Sequence, residues 1–99
     1  MNYEVLVVDD EKEIADLVEV YLTAEGYHVH KCYTAEQALK IIDTHALDLA
    51  ILDVMLPGTS GFEICQHIRE KYTYPVIMLT AREQEVDKIT GLTLGADDY

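Results

Sequence analysis

The chain has 99 residues, of which 49% are hydrophobic, and its net charge is −12 at pH 7. This length suits one domain with one hydrophobic core, and no run of 18 apolar residues is present that could span a membrane. The negative charge argues against nucleic-acid binding by this chain itself, because phosphate contacts need lysine and arginine. The N-terminus has neither a basic region nor a cleavage site, so we expect a cytoplasmic protein.

Apolar, β-rich runs alternate with helical stretches along the chain, and this alternation predicts βαβ units and a mostly parallel sheet. The four predicted strands are Tyr3–Val8, Tyr27–Cys32, Leu47–Leu52 and Pro75–Leu79. Residues 97–99 resemble the start of a fifth strand, with no helix after it to cover the sheet. A doubly wound sheet is covered on both faces, so we expect the domain to be incomplete at its C-terminus.

Local signals mark the predicted helices. The first carries an apolar stripe at helical spacing that ends before Gly26; its members are Ile14, Leu17, Val18, Tyr21 and Leu22. Thr34 with Gln37, and Ser60 with Glu63, are spaced as capping boxes that begin the next two helices. The stretch from residue 83 to residue 94 is a weaker helix, because Gly91 interrupts it.

The cysteines and histidines show no pattern typical of a metal site. Cys32 and Cys65 lie far apart in apolar segments, so we expect two reduced core thiols. The four histidines are scattered, with His28 and His30 on one face of a predicted strand. We do not expect them to bind a metal.

Polar residues follow three of the predicted strands directly. Asp9 and Asp10 follow the first, Asp53 follows the third, and Thr80 follows the fourth. The carboxyl ends of parallel strands share one edge of a sheet, where such folds bind ligands. Each residue also has an ordinary structural interpretation: Asp10 as an N-cap partnered by Glu13, Thr80 as a strand-end residue, and Asp53 as an acceptor for the following turn.

A cluster of these carboxylates needs a compensating charge. Two carboxylates about 4 Å apart repel by about 4 kcal/mol at an effective dielectric constant of about 20. Mg²⁺ would remove that cost at a site made only of oxygen atoms. An aspartate can also act as a nucleophile and form an aspartyl phosphate, and the Thr80 hydroxyl could then donate to a phosphoryl oxygen.

Four motifs in combination resemble the receiver domain of bacterial two-component response regulators. They are VVDDE after the first strand, LAILDVMLPGTSG around the third, MLTA at the fourth and GADDY at the end. The stretches EIADLVEVYL, LPGTSG, TYPVIMLTA and EVDKITGLTLGADDY are similar to the winged-helix transcription-factor class, most of all to vancomycin-resistance response regulators. The resemblance implies an α/β, flavodoxin-like doubly wound parallel sheet in the order 2-1-3-4-5, with the fifth strand and last helix truncated here.

The resemblance also implies a role for each matching residue. Asp53 would accept a phosphoryl group from a sensor histidine kinase, and Mg²⁺ would bind to Asp9, Asp10, Asp53 and the Met55 carbonyl. Thr80 would bind the phosphoryl group, and Tyr99 would turn inward in response. Met55 and Arg82 match positions that tune the lifetime of the phosphoryl group. Lys88, Asp97 and Asp98 match positions on the face through which two receivers dimerise.

The resemblance implies a signalling switch rather than an enzyme, one that assists only its own phosphoryl transfer and dephosphorylation. Residues 1–99 would form the receiver of a bacterial transcription regulator, which dimerises through its fourth helix and fifth strand and contacts DNA only through an output domain absent here. The family's Lys-Pro pair after the fifth strand is also absent, so an interaction module that is not phosphorylated in this form remains the alternative.

The residues alone argue against two other functional classes. A flavin-binding electron carrier of this topology needs a phosphate loop after the first strand, where this chain has acidic residues. An Mg²⁺-dependent aspartyl phosphatase would need a DxD motif and a cap insertion, and neither is present.

Overall fold

A computed structural model describes residues 3–79 of the chain. Their main sheet has four parallel strands and lies between helices. The strands are β1 (Glu4–Val8), β2 (His28–Cys32), β3 (Leu49–Asp53) and β6 (Val76–Leu79). The short strands β4 (Met55–Leu56) and β5 (Thr59–Ser60) form an antiparallel hairpin after β3. The helices are α1 (Lys12–Ala24), α2 (Ala35–Thr44) and α3 (Gly61–Lys71).

The order of the main sheet is β2-β1-β3-β6, which confirms the predicted order 2-1-3-4 and the α/β fold class. The fourth predicted strand is β6, because the hairpin supplies two short strands that the sequence pattern did not reveal. Val8 pairs with Cys32 on one side and with Leu52 on the other, and Asp53 pairs with Leu79. The carboxyl ends of all four strands therefore lie at the same edge. The predicted fifth strand and the predicted helix from residue 83 lie outside the described residues.

Among the described residues, helices pack on both faces of the sheet. On one face, Leu6, Val8 and Leu52 belong to a buried cluster with residues of α2 and α3. On the other face, Val5, Val7 and Ile51 pack with residues of α1. Cys32 and Cys65 are buried in the first cluster as thiols, which confirms the expectation for both.

The predicted apolar stripe of α1 is only partly buried. Val18 and Leu22 pack on the sheet, together with the buried Ala15, whereas Leu17 and Tyr21 are exposed. The predicted stripe was too wide, because the sheet covers a narrower arc of the helix than these five residues span. Within residues 3–79, no helix combines the length and apolar character needed to cross a membrane.

The predicted Thr34–Gln37 capping box forms in part, because the Gln37 side chain accepts from the N–H of the preceding residue rather than from that of Thr34. The Thr34 hydroxyl accepts a hydrogen bond from the Gln37 N–H at 3.2 Å, and the Gln37 side chain accepts one from the Tyr33 N–H at 2.9 Å. Ser60 is the N-cap residue of α3, but its side chain makes no capping hydrogen bond. Glu63 instead accepts a hydrogen bond from the Thr59 hydroxyl. The predicted capping box between Ser60 and Glu63 was therefore wrong.

Candidate functional site

Three carboxylates meet at the carboxyl edge of the sheet. Asp9 follows β1 directly, Asp10 is its neighbour, and Asp53 is the last residue of β3. Each offers an oxygen atom, and these atoms lie within 4.8 Å of one another. Asp9 and Asp53 are only 4% and 8% exposed, whereas Asp10 is exposed. The cluster is therefore an acidic pocket with two buried carboxylates and a third at its rim.

The backbone holds Asp9 and Asp10 at the start of α1. The Asp9 N–H donates to the Cys32 carbonyl at 3.1 Å, which continues the ladder between β1 and β2 past the end of β1. The Asp9 carboxylate accepts a hydrogen bond from the Glu11 N–H at 2.9 Å. Glu11 is the N-cap residue of α1, without a side-chain cap, so the interpretation of Asp10 as the N-cap was wrong. Asp10 stands at the pocket with no capping role.

Asp53 is fixed by the sheet and by the turn that follows. Its carboxylate accepts a hydrogen bond from the Met55 N–H at 3.3 Å, so the interpretation of Asp53 as an acceptor for its own turn is correct. That contact is not the whole environment, because Asp9 and Asp10 also lie against the same carboxylate. The turn hydrogen bond orients the side chain, and the two neighbouring carboxylates set its charge environment.

The electrostatics of the pocket oppose full ionisation. Burial, and then the charge of Asp9, raise the pKa of Asp53 to about 7, against the opposing hydrogen bond from the Met55 N–H. Burial also raises the pKa of Asp9 above its ordinary value. Both shifts reflect negative charge placed where water cannot solvate it fully. A bound cation would favour the ionised carboxylates and so lower both pKa values.

The donor set fits Mg²⁺. All three side chains offer oxygen, which is the ligand that Mg²⁺ prefers, and the exposed rim leaves room for the water molecules that Mg²⁺ retains. Met55 follows Asp53 by two residues and has a half-exposed side chain. Its carbonyl as a further ligand stays a prediction.

Sequence reasoning assigned no role to Gly61, the first residue of α3. A Cβ atom on Gly61 would overlap the carbonyl oxygen of Asp53 and lie 2.9 Å from the Met78 side chain. The Gly61 N–H donates to the Val54 carbonyl at 2.8 Å. α3 therefore begins in direct contact with the strand end that carries Asp53. A glycine directly after the predicted helix-start residue Ser60 was the available signal.

The other predicted site residues lie outside the described part of the chain. They are Thr80, Arg82, Lys88, Asp97, Asp98 and Tyr99. The structure thus brings together three of the predicted side chains, and the roles of the others stay predictions.

Comparison with known proteins gives consistent matches over nearly the whole chain. The family model described as "Response regulator receiver domain" matches residues 5–99. The regulatory protein VanR of Enterococcus faecium is 67% identical over 99 residues, which are 100% of this chain and 43% of that protein. The chain therefore spans less than half the length of this relative.

Solved receiver structures share the fold. A CheY-like response regulator receiver domain protein from Methanospirillum hungatei JF-1 has a TM-score of 0.90 at 30% identity, over 100% of this chain and 80% of that one. The response regulator TrrA from Thermotoga maritima has a TM-score of 0.86 at 37% identity, over 98% of this chain and 84% of that one. The TrrA structure is a complex with Mg²⁺ and BeF.

Proposed function

The chain belongs to the response regulator receiver domain family of two-component signalling proteins, and from this premise we propose that it is a phosphorylation-dependent switch with Asp53 as phosphoacceptor. The observation that carries the proposal is the burial of Asp53 against Asp9, with Asp10 at the rim. A buried strand has no packing reason to end in a carboxylate beside a second one. A site that must bind a cation and a phosphoryl group has such a reason.

We propose that Asp9, Asp10, Asp53 and the Met55 carbonyl hold Mg²⁺. The complex of TrrA with Mg²⁺ and BeF supports this assignment by similarity. Bound Mg²⁺ would neutralise part of the pocket's negative charge and let an anionic phosphoryl group approach. The same cation would lower the pKa of Asp53, since it favours the ionised form.

The chemical step uses the ionised carboxylate of Asp53. One of its oxygens attacks the phosphorus of a phosphohistidine in a sensor histidine kinase. A phosphorus–oxygen bond forms as the phosphorus–nitrogen bond breaks, and the electron pair of the broken bond stays on the imidazole. The hydrogen bond from the Met55 N–H orients the attacking group. Hydrolysis of the aspartyl phosphate by water returns the carboxylate and releases inorganic phosphate.

The remaining roles rest on the family resemblance. Thr80 would bind the phosphoryl oxygen and Tyr99 would respond to it, while Met55 and Arg82 would tune the lifetime of the phosphoryl group. A homodimer would form through the face that carries Lys88, Asp97 and Asp98.

The relatives extend beyond the length of this chain, and the whole protein's role is part of the proposal. VanR is a regulatory protein, and this chain covers 43% of it. We propose that a winged-helix output domain contacts DNA and regulates transcription in the bacterial cytoplasm, and that residues 1–99 control it. The chain would then be a signalling component rather than an enzyme with an external substrate.

The test is intact mass spectrometry after incubation with acetyl phosphate and Mg²⁺. We expect one phosphoryl adduct on the wild type, and none with Asp53→Asn or with EDTA. Asp43→Asn is the matched control, because Asp43 lies on α2 and its carboxylate pairs with His67 instead. That variant should acquire the adduct normally.

Two results would contradict the proposal. An adduct that persists in Asp53→Asn would place the acceptor elsewhere. A wild-type chain that stays unmodified, while a known receiver treated in parallel is phosphorylated, would favour the alternative of an interaction module that is not phosphorylated in this form.

A further inference from the structure

A second cluster of ligand-bearing side chains lies at the amino end of the sheet. Glu4 begins β1, and His28 and His30 belong to the neighbouring strand β2. Glu4 is the register partner of His28, and His30 follows two residues later on the same face of its strand. The parallel pairing of β1 with β2 therefore places one carboxylate and two imidazoles side by side, although His28 lies 24 positions after Glu4 in the sequence.

The three side chains already converge on one point. A carboxylate oxygen of Glu4 lies 2.7 Å from Nε2 of His30 and 2.8 Å from Nδ1 of His28. One ligand atom from each residue lies within 4.8 Å of the other two. Because a carboxylate only accepts hydrogen bonds, each ring nitrogen here carries the proton and donates it. The same atoms would face a cation once those protons move to the other ring nitrogen or to solvent.

The backbone around Glu4 fixes its position. The Glu4 N–H donates to the Asp48 carboxylate at 2.7 Å, and the Glu4 carbonyl accepts from the Asp48 N–H at 2.8 Å. The His28 N–H donates to the Tyr3 carbonyl at 2.9 Å, at the start of the ladder between the two strands. Ligands on paired strands are held more precisely than ligands on a loop.

A third imidazole borders the cluster. The ring centroids of His30 and His28 are 4.8 Å apart, and those of His30 and His45 are 4.9 Å apart. Nδ1 of His45 lies 2.8 Å from the Thr44 hydroxyl. That contact occupies one ring nitrogen and leaves Nε2 as the nitrogen with which His45 could approach a cation.

We propose that Glu4, His28 and His30 form a binding site for a late first-row divalent cation, of which Zn²⁺ is the representative. Two imidazoles and one carboxylate are ligands that Zn²⁺ commonly takes, and its Zn–N and Zn–O distances are about 2.0–2.2 Å. Ligand atoms 2.7 to 2.8 Å apart must separate by only a fraction of an ångström to surround such an ion. Mg²⁺, which prefers oxygen ligands, does not suit this site.

This site is separate from the acidic pocket. Glu4 begins β1 and Asp9 directly follows its other end, and five residues of extended chain span about 16 Å. The ligand chemistry differs as well, since nitrogen dominates here and oxygen dominates at Asp53. The site therefore does not depend on the proposed phosphorylation, and either could fail without the other.

Zn²⁺ itself is the probe for the test. Isothermal titration calorimetry with Zn²⁺, in excess Mg²⁺ that occupies the oxygen site, should show one equivalent bound by the 99-residue chain. We expect Glu4→Gln and His28→Gln to weaken that binding at least about tenfold. His28 suits this purpose because its side chain is 63% exposed, so its replacement should leave the fold intact.

His67→Gln is the matched control. His67 also pairs with a carboxylate, that of Asp43 at 3.0 Å, but it lies on α3 outside the cluster. It should leave Zn²⁺ affinity unchanged. In the wild type, ring ¹⁵N resonances of His28 and His30 should shift on Zn²⁺ addition while those of His67 stay in place.

The proposal is overturned if the wild type binds no Zn²⁺, or if His28→Gln binds it as tightly as the wild type. It is also overturned if Asp53→Asn, rather than Glu4→Gln, removes the binding, because the ion would then occupy the acidic pocket.

Discussion

Gly61 lies in direct contact with the backbone of Asp53, so closely that a Cβ atom on Gly61 would overlap the Asp53 carbonyl oxygen. The contact joins the first residue of α3 to the last residue of β3. The turn between them is held as well by the hydrogen bond from the Gly61 N–H to the Val54 carbonyl at 2.8 Å. The position of the predicted phosphoacceptor therefore depends on the absence of a side chain eight residues further along the chain.

We expect Gly61→Ala to lower the free energy of unfolding by about 1–3 kcal/mol, because the added methyl group forces the start of α3 away from Asp53. Urea denaturation measures the change. Gly58→Asn is the control, since nothing lies within 4 Å of that position and asparagine tolerates its φ of +75°. Similar losses in the two variants would argue against a special contact at Gly61.

In the absence of Mg²⁺, we expect stability to rise as the pH is lowered from 7 to 4.5. The pKa of Asp53 is about 7 in the folded chain against 3.8 as the ordinary value, so over this range the folded state binds a proton that the unfolded state does not. The range ends at pH 4.5, which is the ordinary pKa of Glu4. Hydrogen bonds from His30 and His28 lower the pKa of Glu4 in the folded chain, so below this pH its protonation would reduce the stability. Thermal denaturation across this range measures the effect.

Asp53→Asn should make this pH dependence weaker and raise the stability at pH 7 by at least about 1 kcal/mol, because it removes the buried charge. Asp43→Asn should leave the pH dependence as it is over the same range, since the hydrogen bond from His67 lowers the pKa of Asp43. If Asp53→Asn retained the full pH dependence, burial of the Asp53 carboxylate would not be its cause.

Mg²⁺ should raise the thermal midpoint of the wild type and have less effect on Asp53→Asn, because a ligand that binds only the folded state stabilises it. Differential scanning fluorimetry with and without EDTA detects the shift. An equal shift in both proteins would show that Asp53 does not contribute to the metal site.

The two helix starts offer a matched pair of substitutions. Thr34→Ala should cost about 1 kcal/mol, since the Thr34 hydroxyl accepts the capping hydrogen bond from the Gln37 N–H. Ser60→Ala should cost clearly less, because the Ser60 side chain caps nothing. Chemical denaturation of both variants tests the difference, and equal losses would contradict it.

Cys32 should react slowly with Ellman's reagent in the native chain. The residue is only 3% exposed, and burial raises the pKa of its thiol to about 11, so the reactive thiolate is scarce. Ala46→Cys supplies an exposed thiol as the positive control. Reaction of Cys32 at the rate of that control thiol would show that the core opens readily.

The acidic pocket could be predicted from the sequence because, in any parallel sheet, the carboxyl ends of the strands lie at the same edge. Once alternating strands and helices indicated a parallel sheet, the carboxyl ends of β1 and β3 had to share an edge. Asp9, Asp10 and Asp53 could therefore be brought together without knowledge of the exact register. The Thr34 cap was predictable for a similar reason, since both partners lie within one helical turn.

Local patterns alone did not predict three other features. The exposure of Leu17 and Tyr21 depends on how much of α1 the sheet covers. The partner of Glu63 is Thr59 rather than Ser60, and both residues lie in the short strand β5, which the sequence pattern did not reveal. The contact of Gly61 with the backbone of Asp53 depends on where the turn after β3 places the start of α3.

By itself, the sequence determined which residues end the strands, and with them the acidic pocket, because strand polarity is the same for every member of a parallel sheet. Only the tertiary structure decided that Glu4 stands beside His28 and His30. That proximity depends on the register between two strands separated by a helix. Register is set by the packing of the whole sheet rather than by the spacing of residues along the chain.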